Sequence, residues 1–254
     1  MPRFATLGPG PARGAGLGLG LCLLALVAPP GAPSPARRAD RSVLEHAAAR
    51  RPVIAAALAE IAPGTVLIAG DSHAELAGDA GLSCAPLVNA GLAGARAREV
   101  ADGLSGLRRG GKARLGVLVV GTNDLLRVAR PLSGEARTRF AAEAGAGLAR
   151  LSAHAERVVV AAVPPLGEAA AARRDPAAVA VYSEILRALC RSDNCRFADP
   201  FAAMRAGDSG LARPGLMPDA IHLADYSAML DALDLCPTDH RPPGSAASAS
   251  GVAR

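Results

Sequence analysis

The 254-residue chain contains no tryptophan, two tyrosines and four phenylalanines. That scarcity argues against aromatic stacking platforms for single-stranded nucleic acid or long glycans. A strong basic patch is missing too. The formal net charge is +5, but within the first forty residues Arg3, Arg13, Arg37 and Arg38 face only Asp40, so the body carries little excess. No nucleic-acid partner is expected. No Cys-x-x-Cys pair occurs, which disfavours zinc, and neither metal nor cofactor is expected. The abundant alanine, arginine and proline fit a GC-rich coding genome better than a function. What remains is a chain that is 50% apolar, enough to build the core of one ordinary domain.

The N-terminus reads as an export signal. Arg3 and Arg13 flank an apolar run at residues 15–28 that is short for a membrane span, and small residues and prolines follow. A leader over 1–36 is expected, with cleavage somewhere in 29–38; an uncleaved anchor is the alternative. Cys22 follows Leu21, where a lipoprotein signal needs a small residue, so lipidation is not expected. No twin-arginine pair precedes the run. The mature protein is expected to be secreted or periplasmic, monomeric and without stable membrane insertion. Cys84, Cys190, Cys195 and Cys236 then remain, an even number suited to two disulfides in an oxidising compartment. Three connectivities are possible; Cys190–Cys195 with Cys84–Cys236 is favoured over the other two and over buried free thiols.

Periodicity predicts a helix over 43–61 with a break near Pro52, then a buried strand over 65–69 ending at Gly70. A helix from Ser72 to about Leu76, a strand over 86–89 and a helix over 95–107 follow. Residues 115–120, Leu-Gly-Val-Leu-Val-Val, are apolar on both faces, as a parallel strand requires. A helix over 135–155, a strand over 157–163, a helix over 176–190, a strand over 195–198 and a helix over 223–235 complete the pattern. The tail over 237–254 is rich in Pro, Ser, Ala and Gly and is expected to be disordered. Alternating strands and helices mean a parallel sheet covered on both faces, here a domain over 43–236. Ligands bind such sheets at the carboxyl ends of the strands.

Four short motifs occur in order: Gly70-Asp71-Ser72-His73, Asn89-Ala90-Gly91-Leu92-Ala93-Gly94, Gly121-Thr122-Asn123-Asp124 and Asp219-Ala220-Ile221-His222. The first three fall at or just beyond strand ends and should converge on one edge of the sheet. Each has a plain structural reading: Ser72 as a helix cap, Gly94 as a loop glycine, Asn123 as an Asx-turn residue, Asp219 and His222 as a surface pair. Together they supply a nucleophile, oxyanion donors, and a base with a carboxylate. A serine hydroxyl needs an adjacent base, and imidazole titrates near neutral pH. Asp219, three residues before His222, can hold the ring's far nitrogen.

The motif order over about 65–235 resembles the SGNH (GDSL-type) hydrolase family. That resemblance implies a three-layer α/β/α sandwich with a mainly parallel, five-stranded, flavodoxin-like sheet. It implies Ser72 as nucleophile, Asp219 and His222 as its partners, and an oxyanion hole from the Ser72 and Gly94 backbones and the Asn123 side chain. It further implies a serine esterase acting on a small, acetyl-like ester of a sugar or simple alcohol. His73 departs from the commonest family pattern, which has Leu there. Gly-Asp-Ser-His is similar to secreted members acting on carbohydrate O-acyl groups, while a helix-surface histidine is the plain reading. Asp71 and Asp124 read as short acceptors that pin the turns carrying Ser72 and Asn123. Pro164-Pro165 and the loop after them are expected to line the substrate side. Two alternatives use the same residues: an O-acyltransferase, in which a sugar hydroxyl replaces water, and a non-catalytic binding module.

Three partial patterns are decoys. Gly207-Asp208-Ser209-Gly210 is similar to a chymotrypsin-type nucleophile motif but lies in an α/β pattern with no strand leading into it, and reads as a flexible loop near the site. The Gly-x-Ser-x-Gly elbow is absent. His73-Ala74-Glu75 lacks the Pro-Cys-x-x-Cys partner a deaminase needs.

Overall fold

Thr65 to Gly70 carries no charge, is rich in aliphatic side chains, and is buried from end to end as β1 (Val66–Gly70). In the computed structural model, which describes residues 35–108 and 110–236 with side chains from Arg41, β1 lies inside a five-stranded sheet. The other strands are β2 (Leu87–Gly91), β3 (Ala113–Val119), β4 (Ala155–Ala161) and β5 (Cys195–Ala198). The order is β2-β1-β3-β4-β5 and every pairing is parallel. The expected leader run and the expected tail lie outside the described residues.

The helices are α1 (Pro35–Ala59), α2 (Ser72–Ala80), α3 (Ala97–Leu104), α4 (Gly134–His154), α5 (Ala177–Leu189) and α6 (Ser227–Ala232). Alternation along the strands divides them into two outer layers. Leu67, Ala69, Leu118, Val158 and Val160 pack with α1, α3, α4 and α5. Val66, Ile68, Val117, Val119 and Val159 pack with α2 and α6. Each such Leu, Val or Ile side chain taken from water stabilises the fold by about 1.5–3 kcal/mol before chain entropy is counted.

Register decides where the site forms. Gly70 pairs with Gly91 on β2 and with Val119 on β3, so three strands end level. The chain leaves β1 for β2 on one side and reaches β3 on the other, which opens a crevice at the carboxyl edge where strand order reverses. Gly70 is required there: with φ +154°, a Cβ would stand 1.8 Å from the Val119 carbonyl oxygen. Both favoured cysteine pairs are joined, Cys84–Cys236 and Cys190–Cys195.

Two elements differ from expectation. Helix α1 runs without a break through Pro52. Pro52 is exposed, as is Ala48, whose carbonyl its missing N–H would have met, so water can serve that carbonyl. The last helix starts at Ser227 rather than Leu223. Asp225 accepts the Ser227 N–H at 2.9 Å and its hydroxyl at 2.5 Å, and the residues from Leu223 to Tyr226 are irregular instead.

Candidate active site

Asp71, not Ser72, caps α2: its Oδ1 accepts the His73 N–H at 2.9 Å. Ser72 is therefore the first helical residue. Its hydroxyl is not used as a cap, and its N–H belongs to the first turn, where helix geometry provides no acceptor. Asp71 is fully buried, and burial lifts its pKa to about 6 against the hydrogen bond from His73.

Across the crevice, residues 219–222 form a turn that carries its own geometry. Asp219 Oδ1 accepts the N–H groups of Ile221 (2.9 Å) and His222 (2.7 Å). Its Oδ2 lies 2.6 Å from His222 Nδ1. Ala220 adopts φ +67°, and its carbonyl is held by the Gly167 N–H at 2.8 Å. Burial works against ionisation of Asp219, but the backbone and ring of His222 and the Ile221 N–H outweigh it and hold the carboxyl well below the usual range. An ionised Asp219 accepts from Nδ1–H, which leaves the Nε2 lone pair to accept a proton. Nε2 lies 2.8 Å from Ser72 Oγ, across 150 residues of sequence.

Asn123 sits in a short 3₁₀ turn, Thr122–Leu125, just beyond β3. Its Nδ2 donates to the Ala95 carbonyl at 3.0 Å, and its Oδ1 accepts from Arg174 at 2.9 Å. A donor on one side and an acceptor on the other fix the amide's orientation and leave its second N–H for the crevice. Arg174 also donates to the Thr122 carbonyl at 3.0 Å. Gly94 lies at φ +79° in the turn between β2 and α3. The N–H of Ala93 goes to Glu75 and that of Ala95 to Leu92, while Gly94's own N–H has no partner among the described residues. Asp124 reaches further than expected. Its Oδ2 accepts the Ala97 N–H at 3.1 Å, so it links the turn of Asn123 to the start of α3, and burial lifts its pKa to about 8.

Ser72, His222 and Asp219 thus form one hydrogen-bonded chain, and Asn123 is tied by Ala95 to the turn that bears Gly94. Other expectations need correction. His73 is not on the helix surface but wholly buried, with its Nδ1 3.0 Å from the Tyr226 hydroxyl and its ring 5.5 Å from that of His222. Burial, with His222 nearby, lowers its pKa to about 3, so it stays neutral. Pro164 and Pro165 are buried, with little surface to offer a substrate. The loop after them matters instead, because Gly167 abuts Ala220 so closely that a Cβ would lie 2.6 Å from its Cα. Ser209 is exposed and its hydroxyl donates to the Ala206 carbonyl at 2.9 Å, closing its own turn.

Sequence reasoning missed Arg174, which lies 51 positions from Asn123 and belongs to no motif. It also missed Tyr226, whose only signal was its being one of two tyrosines in the chain. Among the described residues, no three His, Cys, Asp or Glu side chains gather as a metal-binding group.

The family model for GDSL-like lipase/acylhydrolases matches residues 69–226. No curated protein matches. Solved structures share the fold at low identity. A Streptococcus pneumonia protein named for platelet activating factor is 17% identical, with 78% of this chain and 96% of that one covered and a TM-score of 0.65. A GDSL-like lipase from Bacteroides thetaiotaomicron is 16% identical, with 73% and 92% covered and a TM-score of 0.56. An acetyl xylan esterase is 21% identical, with 67% and 96% covered and a TM-score of 0.50. On the extent of the family match, with the parallel five-stranded fold beneath it, the chain belongs to the GDSL-like lipase/acylhydrolase family and is an ester-hydrolysing enzyme.

Proposed function

We propose that the protein is a secreted or periplasmic serine esterase that removes a small acyl group, acetyl-like in size, from a sugar or simple alcohol. The observation that carries this reading is the continuous path from Ser72 Oγ to His222 Nε2 (2.8 Å) and from His222 Nδ1 to Asp219 Oδ2 (2.6 Å). Ser72 Oγ attacks the ester carbonyl carbon as its proton passes to Nε2. Asp219 stays ionised and stabilises the imidazolium. The carbonyl oxygen becomes an oxyanion and receives N–H groups from Ser72, Gly94 and the Asn123 amide. The Ser72 N–H adds the positive end of the α2 dipole. As the tetrahedral intermediate collapses, the ester C–O bond breaks and His222 protonates the departing alcohol. A water then gives a proton to His222 and attacks the acyl-Ser72 carbonyl, releasing the acid and restoring the serine.

Export is supported by the two disulfides, which suit an oxidising compartment. No helix of the described residues is long and apolar enough to cross a membrane. An acetyl xylan esterase among the structures sharing the fold is in keeping with a carbohydrate ester, as is the Gly-Asp-Ser-His motif. Intact-mass labelling with a fluorophosphonate tests the catalytic assignment. One adduct is expected on the wild type and none on Ser72→Ala. A folded wild type that takes no adduct refutes the assignment. Hydrolysis of p-nitrophenyl esters from acetate to octanoate tests the acyl size, with acetate expected to give the highest kcat/KM.

A further inference from the structure

One face of α1 is applied to the turn that carries Gly94. Val43, His46 and Arg50 follow one another at spacings of three and four, which places them in line on a helix. Val43 lies against Gly94, where a Cβ would come within 2.8 Å of its Cγ2. Arg50 donates to the carbonyls of Asn89 (3.1 Å) and Gly91 (3.3 Å) at the end of β2. Between them, His46 Nε2 donates to Glu75 at 2.9 Å and 3.1 Å. Glu75 stands one turn after Ser72 on α2, and its Oε2 accepts the N–H of Ala93, the residue before Gly94, at 2.7 Å.

Glu75 therefore joins the helix that begins at Ser72 to the turn that bears Gly94. The join is close. A Cβ at Gly91 would fall 2.1 Å from the Glu75 backbone nitrogen, and the Glu75 carbonyl accepts from the Asn89 side chain at 2.8 Å. The Glu75 side chain is 15% exposed and that of His46 37%. A carboxylate so enclosed is held by its donors, and its two donors come from α1 and from the turn.

We propose that Glu75, clamped by His46, is a positioning residue for the oxyanion hole. By fixing the Ala93 N–H it sets the peptide plane that follows and points the Gly94 N–H at the reacting carbonyl. A glycine at positive φ has little conformational restraint of its own, so the restraint must come from neighbours. On this reading α1 is part of the framework of the oxyanion hole. The inference rests on Gly94 serving as an oxyanion donor.

The test is steady-state kinetics on p-nitrophenyl acetate with Glu75→Ala, Glu75→Gln and His46→Ala, each checked for folding by denaturant titration. Benzeneboronic acid is included because it bonds to a serine hydroxyl and mimics the tetrahedral state. Glu75→Ala should lower kcat about 10- to 100-fold with KM within about twofold, since a displaced donor is lost mainly in the transition state. Boronate affinity should fall in parallel with kcat. Glu75→Gln, which keeps an acceptor for the Ala93 N–H, should recover most of the loss. His46→Ala, at the more exposed end of the clamp, should lower kcat about 3- to 10-fold and serves as the deciding variant if Glu75→Ala does not fold. A folded Glu75→Ala or His46→Ala with unchanged kcat and boronate affinity overturns the proposal. So does a loss confined to KM, or a folded Glu75→Gln as impaired as Glu75→Ala. Fluorophosphonate labelling of the wild type separates the two levels. If Ser72 is labelled and the clamp variants are unimpaired, only the positioning role fails; if Ser72 is not labelled, the esterase reading fails first.

Discussion

The two sides of the crevice are built differently. The side with Ser72, Gly94 and Asn123 is made of level strand ends tied to one another. Leu92 N–H bonds to the Gly70 carbonyl at 2.9 Å and Asp71 N–H to the Val119 carbonyl at 3.0 Å, while Asn123 and Asp124 bind the turn into α3. The side with His222 lies in an irregular stretch between β5 and α6, where the side chains of His222 and Asp219 are 30% and 55% exposed. Donors aimed at a developing charge must be in place beforehand, since moving them during reaction forfeits their advantage. A sheet edge provides that rigidity. On the proposed mechanism His222 needs its tautomer fixed and one approach to the serine, and a four-residue turn that binds its own aspartate meets both needs.

Removing the proposed base or the proposed nucleophile should break this division most severely. His222→Ala and Ser72→Ala are each expected to lower kcat/KM by about 10⁴-fold or more, measured on p-nitrophenyl acetate. A loss below tenfold in a folded His222→Ala would remove this histidine from the mechanism. On the rigid side, Asn123→Ala should lower kcat by about 10²–10³-fold with little change in KM. Arg174→Ala should follow in the same direction but only by about tenfold, because it orients the donor rather than supplying it. Equal losses from the two would mean that Arg174 itself meets the substrate.

The irregular arm ends in α6 and then Cys236, bound to Cys84 beyond α2 across 152 residues. Replacing both by serine is expected to cost about 2–4 kcal/mol in denaturant unfolding. The Cys190–Cys195 pair spans only 5 residues and should contribute less. The reverse ranking would show that the long arm is held by packing alone.

The smallest effect concerns Asp124, on the rigid side. Its pKa is raised from 3.8 to about 8, so the stability it contributes is present below about pH 4 and lost as pH rises through about 8. His73 acts in the opposite sense, because its pKa is lowered from 6.5 to about 3: its contribution is complete above 6.5 and lost as pH falls. Between pH 6.5 and 8.5 the Asp124 slope is therefore left exposed. The wild type should lose about 1–2 kcal/mol over that interval, and Asp124→Asn should flatten the loss. An unchanged slope in the variant would assign it to another group.

Legibility followed range. The turn at residues 219–222 could be read from sequence because Asp219 reaches His222 within one local turn. The strand pattern was equally plain, since apolar runs such as Val117 to Val120 have no place but the interior. The bounds of α6 were not, because Asp225 takes the Ser227 N–H and hydroxyl in a local turn that apolar periodicity does not register. His73 looked like one polar residue on a short helix; only the packing of α6 and Tyr226 over α2 shows it to be interior. Arg174, and His46 with Glu75, were invisible because their partners lie 51 and 29 positions away and no periodicity links them.

By itself, then, the sequence determined the alternation that makes a parallel sheet, the glycines at its strand ends, and the order in which serine, asparagine and histidine are delivered to one edge. These follow from local hydropathy and from turns that only certain residues can make. Tertiary structure alone decided that Ser72 and His222 meet at 2.8 Å, that Arg174 turns the Asn123 amide, and that α1 holds the Gly94 turn through Glu75. Those contacts join residues distant in the chain, and their geometry is set by strand register and helix packing, which no short stretch of sequence contains.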